Sequence, residues 1–354
     1  MSRLILHIGP GKCGSTSIQN LFAQHNASQG GPCVERTFFC HLAPSDFTDL
    51  ETGEAGSAQA DNARIKRLDI LLNTAKAGGD VAILSHEFLF QTPRAMGIIT
   101  ERARRIFEDI RIIGYVRPQS ALLRSSYSQW LFRAPDRVFE LEAVLQSHGL
   151  NPDLFTGLER QYIASILDGY HSARQLSGYN LLDLWGGYQA IEKSCNIKPL
   201  VGGLPGKDGS LWQDFCEKAG LTLKPDLIEI RANTRFHPHL VDAATEAIRA
   251  GHIVMGPHEG NDILTELSQR MGTVVSFNAD FLAALAKVID ANFAADNHMM
   301  CEHYDIDYVD VFENISLSEA PIQDSVEVEE SRRAENPDEL INYYCNLSNV
   351  LGLR

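Results

Sequence analysis

No apolar run in this chain approaches the roughly 18 to 20 residues that a membrane-spanning helix needs. The first candidate strand starts almost at once, and the two features together predict a soluble, cytoplasmic protein. Also missing is any C-x-x-C pair: the seven cysteines are odd in number and scattered, which argues against a disulfide framework or a zinc site and for reduced thiols. His298, Cys301 and His303 are ligand-type residues at loose spacing with no second half, so no metal is expected. Cations are scarce as well. Lysine and arginine total 31 against 46 acidic residues, a net charge of −15, whereas affinity for a phosphate backbone rests on massed Lys and Arg. A nucleic-acid partner is therefore not expected, while a small anionic ligand needs only a few local cations. There is no internal repeat and no long disordered linker, and the acidic run Glu327-Val328-Glu329-Glu330 reads as a solvated surface segment.

What is present begins with Leu4-Ile5-Leu6-His7-Ile8, an apolar run that breaks into Gly9-Pro10-Gly11-Lys12-Cys13-Gly14-Ser15-Thr16 and resumes at Ile18, Leu21 and Phe22. The pattern reads as strand, loop, helix. The first N–H groups of a helix have no intrahelical acceptor, and the positive end of its dipole makes them an anion site. Gly9, Gly11 and Gly14 let backbone curl around an anion, Lys12 adds charge, Ser15 and Thr16 add hydroxyls, and Thr16 with Gln19 resembles a capping box. A phosphate is the expected ligand, with an ordinary Gly-rich turn as the alternative for this loop taken alone. Cys13 reads as a small filler rather than a nucleophile.

Downstream, Thr37-Phe38-Phe39-Cys40 is a short strand in otherwise loop-like sequence, and Arg64 to Ala77 is helical. Val81-Ala82-Ile83-Leu84-Ser85 and Ile110-Arg111-Ile112-Ile113-Gly114-Tyr115-Val116 read as strands buried on both faces, with a helix expected over 100 to 109. Such alternation implies an α/β fold: a central, mostly parallel sheet flanked by helices. Ligands of such sheets sit at the carboxyl ends of the strands, which selects three places: the Gly-rich loop, His86 with Glu87, and Arg117. Helical patterns at 138–146, 152–168, 239–250, 260–271 and 278–292, a helix around Leu181 to Trp185 and a strand near Ile197 to Val201 give an α-rich second half. The expected organisation is one domain over 1–354, with a cofactor-binding core of about 1–220 and a helical elaboration of about 221–354.

The spacing of Gly9 and Gly14 matches the nucleotide-binding P-loop, G-x-x-x-x-G-K-[ST], but Ser15 stands where that motif has its lysine, leaving no Lys-Ser pair for a metal. Lys12-Cys13-Gly14-Ser15-Thr16 instead resembles the K-x-G-[ST]-[ST] loop of sulfotransferases that use 3′-phosphoadenosine 5′-phosphosulfate (PAPS), where it holds the 5′-phosphosulfate. Arg117 and Ser125, eight residues apart across a strand end and the next helix, resemble that family's pair for the cofactor's 3′-phosphate. The resemblance covers residues 4 to about 130, and about 180 to 220 more loosely. It implies a P-loop-type fold and sulfuryl transfer from PAPS to a hydroxyl or amine, without a required metal. In it the cofactor is bound by Gly11, Lys12, Cys13, Gly14, Ser15, Thr16, Arg117 and Ser125. It also offers Lys207 with Gly209 as a further clasp, where the residues alone suggest a plain turn. Lys12 would stabilise the charge that develops, and Glu87, or else His86, would act as the acceptor's base. Both of these strand-end residues are equally open to a purely structural role. An ATP-dependent small-molecule kinase and a non-catalytic nucleotide-binding protein of the same fold remain the alternatives. The acceptor class, whether carbohydrate, lipid or small alcohol or amine, is not written in these residues, nor is the oligomeric state.

Overall fold

Five parallel strands carry the residues that matter: β1 (Arg3–His7), β2 (Thr37–His41), β3 (Val81–Ser85), β4 (Asp109–Val116) and β5 (Leu200–Gly203), in the order β2-β3-β1-β4-β5. The computed structural model describes residues 2–26, 31–52, 58–129, 131–170, 182–205, 209–225, 227, 236, 238–251 and 279–313. Expectations for Lys207, the helix at 260–271, the acidic run at 327–330 and Cys345 lie outside those residues.

Central β1 is hydrogen-bonded to β3 on one side and β4 on the other, and β3 is buried along its whole length, as its unbroken apolar run requires. The chain passes from β1 to β2 and β3, then returns past β1 to β4. The loops after β1, β3 and β4 therefore leave the same edge of the sheet beside one another, at the position where such folds bind ligands.

One face of the sheet is covered by α1 (Ser15–Asn26) and α9 (Leu211–Ala219), joined through Phe22, Phe39, Phe215 and His7, whose rings lie 5.3 to 5.8 Å apart in successive pairs. Tyr115 on β4 reaches the same layer and donates to Asp214 at 2.6 Å; Lys218 holds the other oxygen of that carboxylate, also at 2.6 Å. Against the opposite face pack α3 (Ala58–Gly78), α4 (Pro93–Ala103) and α8 (Leu184–Cys195), with the short α2 (Thr48–Thr52) beside α4. There Tyr188 sits over Gly114, where an added Cβ would come within 2.3 Å of its hydroxyl, and that hydroxyl donates to the Tyr115 carbonyl.

The described residues form two compact units. The first comprises residues 1–117, 174–232 and 293–315 and holds the sheet, its covering helices and α12 (Ala294–Tyr304). The second is helical, built from α5 (Gln119–Tyr127), α6 (Pro135–Ser147), α7 (Gly157–Leu167), α10 (Pro238–Arg249) and α11 (Ala279–Asn292). Its core gathers Tyr127, Phe132, Leu141, Leu145, Ile163 and Val241. Thr156 and Glu159 cap α7 reciprocally, the side chain of each accepting the other's backbone N–H. Among the described residues no helix is long and apolar enough to cross a membrane.

Several boundaries differ from the sequence reading. The helix expected over 100–109 begins instead at Pro93, whose fixed φ suits a first helical position, and β4 already starts at Asp109. The helix expected over 152–168 divides into a 3-10 turn at Pro152–Leu154 and α7. The strand expected near 197–201 is Leu200–Gly203.

Candidate active site

The loop between β1 and α1 is held in an unusual backbone conformation. Lys12 has φ 74°, in the left-handed region that a non-glycine residue enters at a cost of about 1 kcal/mol or more. The sequence pointed to three glycines for the curl. Gly9 and Gly14 do have positive φ, but Gly11 does not, and Lys12 makes the turn in its place. Two contacts over-determine that shape. Arg117, buried just past β4, donates from Nη1 to the Lys12 carbonyl at 3.2 Å. Gly14 (φ 83°) is pressed by Leu211 and Leu204, whose side chains would lie 2.4 and 2.9 Å from an added Cβ. Leu204 and Leu211 therefore pack directly against the loop, a relationship that the sequence showed only as a second Gly-rich turn.

Past Gly14 the chain enters α1 at Ser15. The N–H groups of Ser17 and Ile18 both turn back to the Gly14 carbonyl, at 3.0 and 3.3 Å, while those of Ser15 and Thr16 lead the helix, with no earlier carbonyl in reach of the helical pattern. The capping box suggested by Thr16 and Gln19 is not formed. Thr16 is the second residue of the helix, and the Gln19 amide donates to Ser85 Oγ at 3.2 Å. Ser85 in turn lies 2.8 Å from His7 Nδ1, so a buried polar chain ties α1, β3 and β1 together beneath the loop. Burial pushes the His7 pKa down to about 3, which keeps its ring neutral. Trp212 adds a clamp from α9 onto α1, its indole N–H shared between Ser17 Oγ and O at 3.0 and 3.2 Å.

At the end of β3, the His86 N–H extends the ladder to the His7 carbonyl at 3.2 Å, and its side chain caps the 3-10 helix Glu87–Gln91 by accepting the Phe88 N–H at 3.0 Å. The buried imidazole is stacked against His41 and flanked by Phe47 and Phe88. Glu87 comes next, and its carboxylate lies within electrostatic reach of Lys12. Burial lowers the Lys12 pKa and the Glu87 charge partly restores it. Cys13 is buried, and burial pushes its thiol up to about 12 despite the nearby Arg117 charge. It is a protonated filler at neutral pH.

Lys12, Glu87, His86 and Arg117 thus lie just past β1, β3 and β4 on one carboxyl edge of the sheet, with Cys13, Gly14, Ser15 and Thr16 in the same loop and helix start. Ser125 is buried on α5, in the helical unit. Among the described residues no group of three or more His, Cys, Asp or Glu converges as metal ligands. Of the loosely spaced trio, His303 pairs with Glu192 at 2.9 Å, His298 stacks on Tyr308, and Cys301 is buried.

No family model matches the chain, and no curated protein matches it. Two solved structures do. A crystal structure of a sulfotransferase from Alicyclobacillus acidocaldarius is 13% identical with a TM-score of 0.39, covering 86% of this chain and 96% of its own. A sulfotransferase domain from the curacin biosynthetic pathway is 11% identical with a TM-score of 0.29, covering 75% of this chain and 97% of its own. Likenesses this distant carry no argument about the chemistry, which rests on the site.

Proposed function

We propose that this protein transfers a sulfuryl group from 3′-phosphoadenosine 5′-phosphosulfate to a hydroxyl or amine acceptor. The observation that carries the reading is the left-handed Lys12 at the centre of the β1–α1 loop, with the Glu87 carboxylate within electrostatic reach of it and the Arg117 guanidinium on its carbonyl. A partly buried lysine whose pKa is lowered by desolvation gains by meeting an anion. Ser15 and Thr16 present N–H groups and hydroxyls at the start of α1, so the donor set fits a phosphosulfate. When bound, the cofactor supplies an activated sulfuryl group on a phosphate.

In this reading Lys12 and the leading N–H groups stabilise charge on the departing phosphate oxygen, acting as preorganised electrostatics rather than as reacting groups. Glu87 takes the acceptor's proton, and its place just past β3, the neighbour of β1, puts base and electrophilic charge on one edge of the sheet. Arg117 is assigned the 3′-phosphate, and so, from its sequence spacing, is Ser125. Lys207 keeps its assignment as a further clasp on the same sequence grounds.

Calorimetric titration with 3′-phosphoadenosine 5′-phosphate, adenosine 5′-phosphate and ATP with Mg²⁺ tests the proposal. Preference for the 3′-phosphorylated nucleotide, unaffected by a chelator, is expected. Metal-dependent preference for ATP would overturn the proposal in favour of a kinase. Tight binding with no sulfated product from a panel of sugars, lipids and small alcohols or amines would leave a binding protein in its place.

A further inference from the structure

Two of the cysteines meet. Cys33 and Cys216 are both buried, with their sulfurs 3.8 Å apart, which is van der Waals contact with nothing between them. Their backbones are also held in place. Cys33 pairs with Leu223 in an isolated antiparallel bridge, flanked by the bonds Val34 N–H to Thr222 O at 2.9 Å and Lys224 N–H to Pro32 O at 3.0 Å. Glu35 accepts from both the N–H and hydroxyl of Thr222 at 2.8 and 3.0 Å, and the Lys224 ammonium donates to the Gly31 carbonyl. Cys216 sits in the second half of α9, the helix that clamps α1 through Trp212 and presses Leu211 on Gly14. A disulfide needs sulfurs about 2.05 Å apart and Cβ atoms near 3.8 Å. Side-chain rotation can cover the remaining gap where two thiols already touch on fixed backbones.

We propose that Cys33 and Cys216 are a disulfide-forming pair, oxidised by a hydroperoxide, that cross-links the segment following α1 to α9. One thiol attacks the peroxide: the O–O bond breaks, an S–O bond forms, and the other oxygen leaves with the thiol's proton, as water from hydrogen peroxide or as an alcohol from an organic hydroperoxide, giving a sulfenic acid. The second sulfur then attacks the first, breaking the S–O bond and forming the S–S bond. The hydroxyl departs with the second thiol's proton as another water. Two electrons pass from the thiol pair to the peroxide, and a dithiol such as dithiothreitol returns them. The contact with Cys33 and burial both hold the Cys216 thiol protonated, so the reaction proceeds through brief local opening, next to the exposed Val34.

The test uses the reduced full-length protein under native conditions: graded hydrogen peroxide, alkylation of remaining thiols, digestion and peptide mapping. The expected result is a linked Cys33–Cys216 peptide and a thermal midpoint raised by several degrees, both reversed by dithiothreitol. Both should be absent in Cys33→Ser and in Cys216→Ser. The partly exposed Cys40 serves as the internal standard. If Cys40 oxidises while Cys33 and Cys216 are still fully alkylated on denaturation, the proposal fails. It fails equally if either sulfur ends as a sulfinic acid or bonded to another cysteine, or if the linked protein melts lower than the reduced one. The parent protein alone decides the outcome should a serine variant not fold.

Discussion

The backbone N–H of Phe88 donates to Nδ1 of His86 at 3.0 Å. A backbone N–H only donates, so Nδ1 is the acceptor nitrogen of a neutral ring and the ring proton is on Nε2. A histidine in that state caps a helix, and taking a proton on Nδ1 would break the cap. Glu87, the next residue, has no such duty among the hydrogen bonds of its short helix and lies within electrostatic reach of Lys12. Glu87→Gln is therefore expected to lower turnover by about 10² or more while nucleotide binding holds. His86→Asn, whose amide oxygen caps equally well, should retain most activity. Steady-state kinetics on the two variants gives the ranking, and the reverse order would move the base to His86.

Gly14 and Gly11 offer a matched pair in the same loop. An alanine at Gly14 meets Leu211 and Leu204 and must also hold φ 83°, whereas at Gly11 nothing lies within 4 Å of the new methyl. Roughly 1 to 2 kcal/mol of backbone strain and 1 to 3 of overpacking predict a Gly14→Ala protein about 3 kcal/mol less stable. Gly11→Ala should stay within about 0.5 kcal/mol of the parent. Denaturant unfolding of both checks the contrast, and equal losses would mean that Leu204 and Leu211 do not bear on the loop.

The sheet was legible because its central strands are continuous apolar runs, and the loop because glycine, lysine and hydroxyl residues cluster between a strand and a helix. What escaped was long-range or conformational. Nothing in the spelling of Gly11-Lys12 says which of the two turns left-handed; that follows from Arg117 on the Lys12 carbonyl, 105 residues away. Gln19 looked like a local cap and instead reaches Ser85, because β3 lies beside β1. The contact between Cys33 and Cys216 depends on a fold that brings residues 183 apart together, a distance at which spacing carries no information. The start of α4 at Pro93 was misplaced for a simpler reason. The apolar residues before it belong to the 3-10 turn Glu87–Gln91 and blur the periodicity.

Lys12 gives a pH dependence with a definite sign. Burial lowers its pKa in the free protein, and a bound anion favours the charged form, raising it again. Above the lowered value, binding must take up a proton, so affinity for 3′-phosphoadenosine 5′-phosphate should fall as pH rises through it; below that value this residue contributes no slope. Lys12→Arg should abolish the slope, since a guanidinium stays charged throughout. Lys12→Ala should cost about 10² or more in turnover. Calorimetry in buffers of different ionisation enthalpy counts the protons, and a slope unchanged in Lys12→Arg would assign it to another group.

In the helical unit Asp242 is pushed up to about 7 by burial and by the charge of Glu246, against the pull of Arg160. Its folded pKa lies above the unfolded 3.8, so the folded state holds a proton that the unfolded chain releases between those values. The stability it contributes is complete below about pH 4 and is lost as pH rises through about 7. Asp242→Asn, which can still accept the Gly157 N–H, should therefore melt several degrees above the parent at pH 8 and show little advantage at pH 4. Thermal melts across that range decide it, and a constant offset would deny Asp242 its titration.

Arg117 carries two roles that one measurement separates. It donates to the Lys12 carbonyl at 3.2 Å, which helps hold the loop, and it is assigned the 3′-phosphate of the donor nucleotide. Losing the first role weakens every ligand of the loop alike. Losing the second weakens only ligands that carry the 3′-phosphate, and hydrogen bonds to charged groups contribute roughly 1.5 to 3 kcal/mol each, about tenfold to hundredfold in affinity. Arg117→Ala should therefore weaken 3′-phosphoadenosine 5′-phosphate by about tenfold to hundredfold more than adenosine 5′-phosphate, on top of a shared loss. Arg117→Lys should recover part of the discrimination, because charge survives while the planar fork does not. Ser125→Ala should act in the same direction more weakly, with no shared loss. If Arg117→Ala costs both nucleotides equally, the residue is a brace for the Lys12 backbone and the 3′-phosphate has another partner.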